Sequence, residues 1–268
     1  MKRTPAVAGT FYPAHAATLE RLVGELSSPS GQQRIHAIGV VSPHAGYIYS
    51  GSVAGKVFAR VQVPDTVVVI GPNHTGYGGR ASIVADGTFA MPGFDMKIDR
   101  ELAAALLENS DIIEEDQSAH KHEHSLEVQL PFIRFHNPAA SIVPLCIMGR
   151  GADFVSAVGN ALAKSIRDAG RQVLIVASSD MTHYEPDAHA RKKDALAIGM
   201  VTGLDPQGLL KVTAEHDISM CGVVPVAIML VSALKLGATK AELVDYATSG
   251  EVTKDFDEVV GYAGIVVS

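Results

Sequence analysis

The stretch TVVVIGPNHTGY, residues 66–77, sets four β-branched residues in a row (67–70) directly before Gly71-Pro72 and a histidine. An uninterrupted aliphatic run of this length, closed by turn residues, reads as a strand covered on both faces, the pattern of a central parallel strand. Asn73 and His74 then fall on the loop just past its carboxyl end, where open α/β sheets bind ligands. The same arrangement occurs on either side. The run at 35–41 leads straight into Ser42-Pro43-His44, and the run at 172–177 into Ser178-Ser179-Asp180-Met181-Thr182-His183.

Outward from these runs, strand and helix signals alternate. Helical spacing is expected at 16–26, 50–60, 99–109, 152–169, 188–201 and 206–215, and in an apolar helix opened by Cys221-Gly222. Further strands are expected at 82–85, 141–148, 241–247 and 259–267. Residues 27–33 read as a Ser/Pro/Gly/Gln loop, and Pro131 must kink or restart the helix expected from Ser125. With no linker or repeat, residues 1–268 read as one α/β domain, its sheet mostly parallel or mixed and covered by helices on both faces.

At 47% hydrophobic and 19% charged residues the chain can bury a large core. A formal charge of −7 argues against a broad nucleic-acid or anionic-membrane surface and leaves room for a local basic patch. No apolar run reaches the ~20 residues of a membrane span. Two cysteines and no signal-like start point to a reducing, cytoplasmic setting.

Right-handed connections bring strand ends to one rim of a sheet, so His44, His74, Asp180, His183 and Cys221 are expected to share a pocket. Two imidazoles with a thiolate or a carboxylate form a ligand set for zinc, iron or copper. A further histidine near an aspartate suits acid/base work, with His183 acting and Asp180 orienting it. Cys221, at a helix start, is expected to favour the thiolate. Among the other histidines, His120 and His122 of the HKHEH cluster are expected in solvent, and His15, His36, His136, His189 and His216 in structural roles; Cys146 reads as core.

The motifs PHAGY (43–47), GPNH (71–74), EHSLEVQLPF (123–132), SSDMTHY (178–184) and CG-x-x-P (221–225), with an AGTFYP opening and a GYAGIVV close, together resemble the Memo family over nearly the whole chain. The resemblance implies a fold like that of the class III extradiol dioxygenases, which use non-haem iron. It implies a single transition metal, iron or copper with zinc the alternative, held by His44, His74 and Cys221. His183 takes the acid/base position beside Asp180, while Tyr47, Asn73, His124 and Glu127 fall within the motifs as pocket candidates. It also implies a functional link to radical-SAM and AMMECR-type proteins. The dioxygenases complete their triad with a carboxylate where this chain has Cys221, and a thiolate is softer and oxidisable. Three functions follow as alternatives: a metal-dependent redox enzyme whose expected substrate is an unidentified small molecule, a metal-free cysteine hydrolase using Cys221, His183 and Asp180, and a non-catalytic module binding a metal or a peptide.

Overall fold

Residues 2–27 and 33–268 are described by a computed structural model; the loop expected at 27–33 falls largely outside them. The first half runs β1 (Lys2–Arg3), α1 (Ala16–Leu26), β2 (Gly39–Ser42), α2 (Tyr47–Arg60), β3 (Thr66–Pro72), β4 (Ala81–Ile83), β5 (Thr88–Met91) and β6 (Phe94–Ile98). Next come α3 (Arg100–Glu108), β7 (Ile113–Glu115), α4 (Leu130–His136), β8 (Ser141–Ile147), α5 (Ala152–Ala169) and β9 (Val173–Ser178). The last third holds β10 (His183–Glu185), α6 (Asp187–Thr202), α7 (Pro206–Glu215), α8 (Val223–Lys235), β11 (Ala241–Thr248), α9 (Gly250–Thr253) and β12 (Val259–Val267).

The run at 66–77 is the middle of the sheet. All seven residues of β3 are buried, and β8 and β9 flank it in parallel register. The sheet order is β1-β5-β6-β8-β3-β9-β2-β12-β10, with β11 on β12, β4 on β8 and β7 on β4. The core quartet β8-β3-β9-β2 is parallel, and β12 closes antiparallel on β2, so the sheet is mixed. The outer edge of β8 is shared: Ser141 and Ile142 pair with β6, and Leu145 to Ile147 with β4.

Chain direction assigns the layers. The step from β2 through α2 to β3 and the step from β8 through α5 to β9 run in opposite senses across the sheet. Right-handed crossovers in opposite senses place their helices on opposite faces. The second step also inserts β9 between β3 and β2, which sets three polar strand ends side by side.

Local signals explain most boundaries. The Asp99 side chain caps α3 by accepting from the Leu102 amide at 3.1 Å. Pro131 sits in the first turn of α4, where its missing N–H costs no helical bond, so the expected helix becomes a 3₁₀ turn at Glu127–Gln129 followed by a restart. The β5–β6 hairpin, turning at Pro92-Gly93, was not expected. Its strands are only four and five residues long and half-buried, with one face turned to the core.

Candidate metal centre

Every group expected at the rim sits just past a strand of the core quartet or at the start of α8. His44 follows β2, His74 follows β3, Asp180 and His183 follow β9, and Cys221 precedes α8. Two close approaches seat them. A Cβ on Gly222 would lie 2.4 Å from the Ser178 carbonyl oxygen, so only glycine lets α8 start against the end of β9. A Cβ on Gly71 would lie 2.5 Å from Ser125 Oγ, which instead donates to the Pro72 carbonyl at 2.9 Å and ties the segment after the HKHEH cluster to the end of β3.

Hydrogen bonds set the tautomers. The Ser178 hydroxyl donates its single proton to the Ser125 carbonyl at 2.6 Å. It must therefore accept from Gln129 Nε2 and from His44 Nδ1, each at 2.9 Å. His44 thus carries its proton on Nδ1 and presents a lone pair on Nε2, 3.3 Å from Cys221 Sγ. His74 Nδ1 donates to Glu123 Oε1 at 2.9 Å, which likewise frees its Nε2. The donor atoms of His44, His74 and Cys221 lie within 4.8 Å of one another.

His74, Glu123 and His124 form a second convergent group, but Glu123 is already saturated. Its carboxylate accepts from the His74 ring and from the backbone amides of His74, His124 and Ser125 at 2.6–2.9 Å. It is an orienting carboxylate behind His74. The first set therefore fits a metal better: two imidazole lone pairs, each with its other nitrogen held, and a sulfur.

The electrostatics agree. Burial drives His44 well below the ordinary histidine range, and His124 and His74 nearby push it the same way, so it stays neutral. Burial alone would raise Glu123, but the His74 ring and the amides of Ser125 and His74 outweigh it and hold the carboxyl down at about 2. Burial, with the Asp180 carboxylate adding to it, pushes the Cys221 thiol up, against the amide of Asp180 and the Ser179 hydroxyl. The expectation that the helix start would yield a thiolate is therefore reversed, because desolvation outweighs a few N–H dipoles.

His183 donates from Nδ1 to the Ser219 carbonyl at 3.0 Å, and its amide donates to Ser219 Oγ at 2.8 Å, leaving Nε2 free. Its orienting partner is thus Ser219 and not Asp180. The Asp180 carboxylate instead accepts from the His44 amide at 2.8 Å and braces the turn that carries that ligand candidate; burial raises its pKa.

The remaining candidates divide. The His124 ring stacks on His74 at 4.6 Å and meets His44 edge-on at 5.5 Å, so it belongs to the cluster. Asn73 lines the adjoining groove while its side chain ties up the loop at 75–77. Tyr47 is buried in the core beside Phe132 and donates to the Val128 carbonyl. Glu127 is fully buried and turned to the amino-terminal segment. It pairs with Arg3 and accepts from Tyr12 and from the amides of Ala6 and Val7. Both are supports, not pocket walls. His120, expected in solvent, is 1% exposed, with Nε2 bonded to the Ser82 carbonyl. Arg3 explains this, since it donates to the His120 and Glu123 carbonyls and folds the loop inward.

Ser178, Gln129, Glu123 and Ser219 were not expected. The first three stood inside quoted motifs, but nothing in a linear reading says which histidine each will hold.

The fold and this cluster define an α/β protein with a histidine/cysteine pocket at the carboxyl ends of its parallel strands. The Memo-like protein family model matches residues 3–266, and the chain belongs to that family. A MEMO1 family protein of Methanopyrus kandleri is 40% identical over 99% of both chains, and one of Methanosarcina barkeri is 41% identical over 99% of both. Among solved structures, an uncharacterized protein of Escherichia coli K12 matches with a TM-score of 0.57 over 85% of this chain and 98% of its own, at 17% identity, which supports the shared fold. No helix among the described residues is long and apolar enough to cross a membrane.

Proposed function

We propose that the chain is a metal-dependent oxidoreductase acting on a small molecule, with His44 Nε2, His74 Nε2 and Cys221 Sγ holding one transition-metal ion. The observation that carries this reading is the convergence of those three donors within 4.8 Å, with both histidines already in the tautomer a metal needs. Iron or copper bound there would supply one-electron chemistry, and a thiolate ligand favours copper or zinc over a purely oxygen-loving ion. His183, with a free Nε2 and a fixed ring, moves the proton. Asp180 and Glu123 position the ligands from behind.

The metal-free cysteine hydrolase is less well supported. The imidazole bonded to Cys221 is His44, whose lowered pKa makes it a weak base, and the thiol itself is pushed away from ionisation. A binding-only module has no need of a poised fourth imidazole. The test is elemental analysis of untagged protein offered Fe(II), Cu(I) and Zn(II) anaerobically. One equivalent is expected for the wild type and none for His44→Ala, followed by oxygen uptake on substrate screens for iron or copper. Stoichiometric metal in His44→Ala, His74→Ala and Cys221→Ala alike would overturn it.

A further inference from the structure

A groove of 820 Å³ opens directly off the cluster, with His74 and Cys221 in its wall. It runs between the loop joining β8 to α5, the start of α8 and one side of α7. Its flanks are apolar, including Met148, Leu210, Met220 and Val224. Its charge is one-sided. The chain carries 29 Asp and Glu residues against 22 Lys and Arg, yet among the described residues no acid lines the groove, and its two charged side chains other than histidine are Arg150 and Lys211.

Arg150, on the β8–α5 loop, has no carboxylate at ion-pair distance among the described residues, Asp153 at the second position of α5 included. Lys211, on α7, has one carboxylate neighbour, Glu215 at 3.8 Å, with both side chains mostly exposed. A pair of that kind is weak and leaves the ammonium available. An unpaired arginine and a weakly paired lysine, both exposed on an apolar groove of an acidic protein, fit a ligand with an anionic head on an apolar body.

We infer that this groove is the substrate channel and that it selects an amphipathic anion, a carboxylate or phosphate monoester, whose head lies between Arg150 and Lys211 while its apolar body extends toward Cys221 and His74. The inference rests on the reading of the His/His/Cys cluster as the reactive centre, but the groove can be tested separately from it. A head group at the mouth puts the opposite end of the molecule at the centre, so the reacting carbon is the one remote from the charge. A neutral analogue of the same body loses the head-group interaction and keeps the apolar contacts.

The test is calorimetric titration of full-length protein, as prepared and after EDTA treatment, with 4-phenylbutanoate, phenylpropyl phosphate and the neutral 4-phenylbutanamide. Both anions are expected to bind about tenfold more tightly than the amide, the advantage that two partly exposed charge contacts provide, and to weaken as salt is raised. The variant Arg150→Gln/Lys211→Gln should lose that advantage, leave the amide unchanged and hold the same metal content as the wild type. Whichever anion binds more tightly identifies the head group. An amide that binds as well as the acids, an anion affinity indifferent to the double substitution, or no binding of either anion would overturn the proposal. Those results can occur with a metal bound, and anion binding can persist without one, so failure of the channel and failure of the metal centre are separable.

Discussion

Glu123 is the residue on which the cluster turns. It sits between two histidines, buried and ionised, and holds the ring of one and the backbone of both. Replacing it with Gln introduces an N–H donor among four N–H donors, so His74 loses its orientation. Metal affinity, measured by chelator competition, is expected to fall about 10- to 100-fold while His44 and Cys221 still bind. The thiol makes a second expectation. Because burial pushes the Cys221 thiol up, its alkylation by iodoacetamide in metal-free protein at pH 7 should be slow for a cysteine that lines an open groove, and unaffected by His183→Ala. Rapid alkylation quenched by His183→Ala would instead support the hydrolase. At this scale the sequence marked the ligand candidates, because histidines after buried strands stand out. It did not mark their partners. Ser178 reaches His44 across 134 residues, and Glu123 reaches His74 across 49, separations that only the folded sheet closes.

The amino-terminal segment acts as one element with the HKHEH loop. Arg3 donates to the His120 and Glu123 carbonyls and pairs with Glu127, while Glu127 accepts from Tyr12 and two amides. Phe11 on the same segment meets the His124 ring edge-on at 4.9 Å. Removing one member of a buried pair strands the other charge, at a cost of about 3–5 kcal/mol. Glu127→Ala should therefore lower the denaturation midpoint by that equivalent and bring His120 into exchange with solvent, seen by NMR of the ring. An unchanged midpoint would mean that the pair stabilises nothing. Long helices and buried strands were legible here because periodicity alone specifies them, and residues 152–169, 206–215 and 259–267 match their elements end to end. The β5–β6 hairpin was not, because strands of four and five residues are too short for their alternation to stand out from the surrounding loops. The inward fold of the HKHEH loop was also hidden, since its cause is an arginine more than a hundred residues away.

Across the whole molecule, the parallel core was legible from its aliphatic runs, whereas strand order was not. That β9 inserts between β3 and β2 follows from a crossover sense that no local residue encodes. Stability should follow the buried histidines. His120 and His136 are both held down to about 4 by burial, against 6.5 when unfolded. The unfolded chain therefore takes up protons first. Stability is full above about pH 6.5 and is lost as pH falls from there toward 4. His136, stacked near Phe58 with neither ring nitrogen bonded, is the simpler one to remove. His136→Phe is expected to be near neutral at pH 7.5 and to recover about 1–2 kcal/mol at pH 4.5, partial exposure discounted. Thermal melts at the two pH values would show it, and parallel losses in both proteins would count against it.

The most direct measurement is X-ray absorption at the metal edge of protein reconstituted anaerobically with one equivalent of Cu(I) or Fe(II). A first shell of two imidazole nitrogens and one sulfur is expected, with the sulfur lost in Cys221→Ala and one imidazole lost in His44→Ala. A shell of oxygen and nitrogen alone, identical in both variants, would contradict the assignment of His44, His74 and Cys221 as the metal centre.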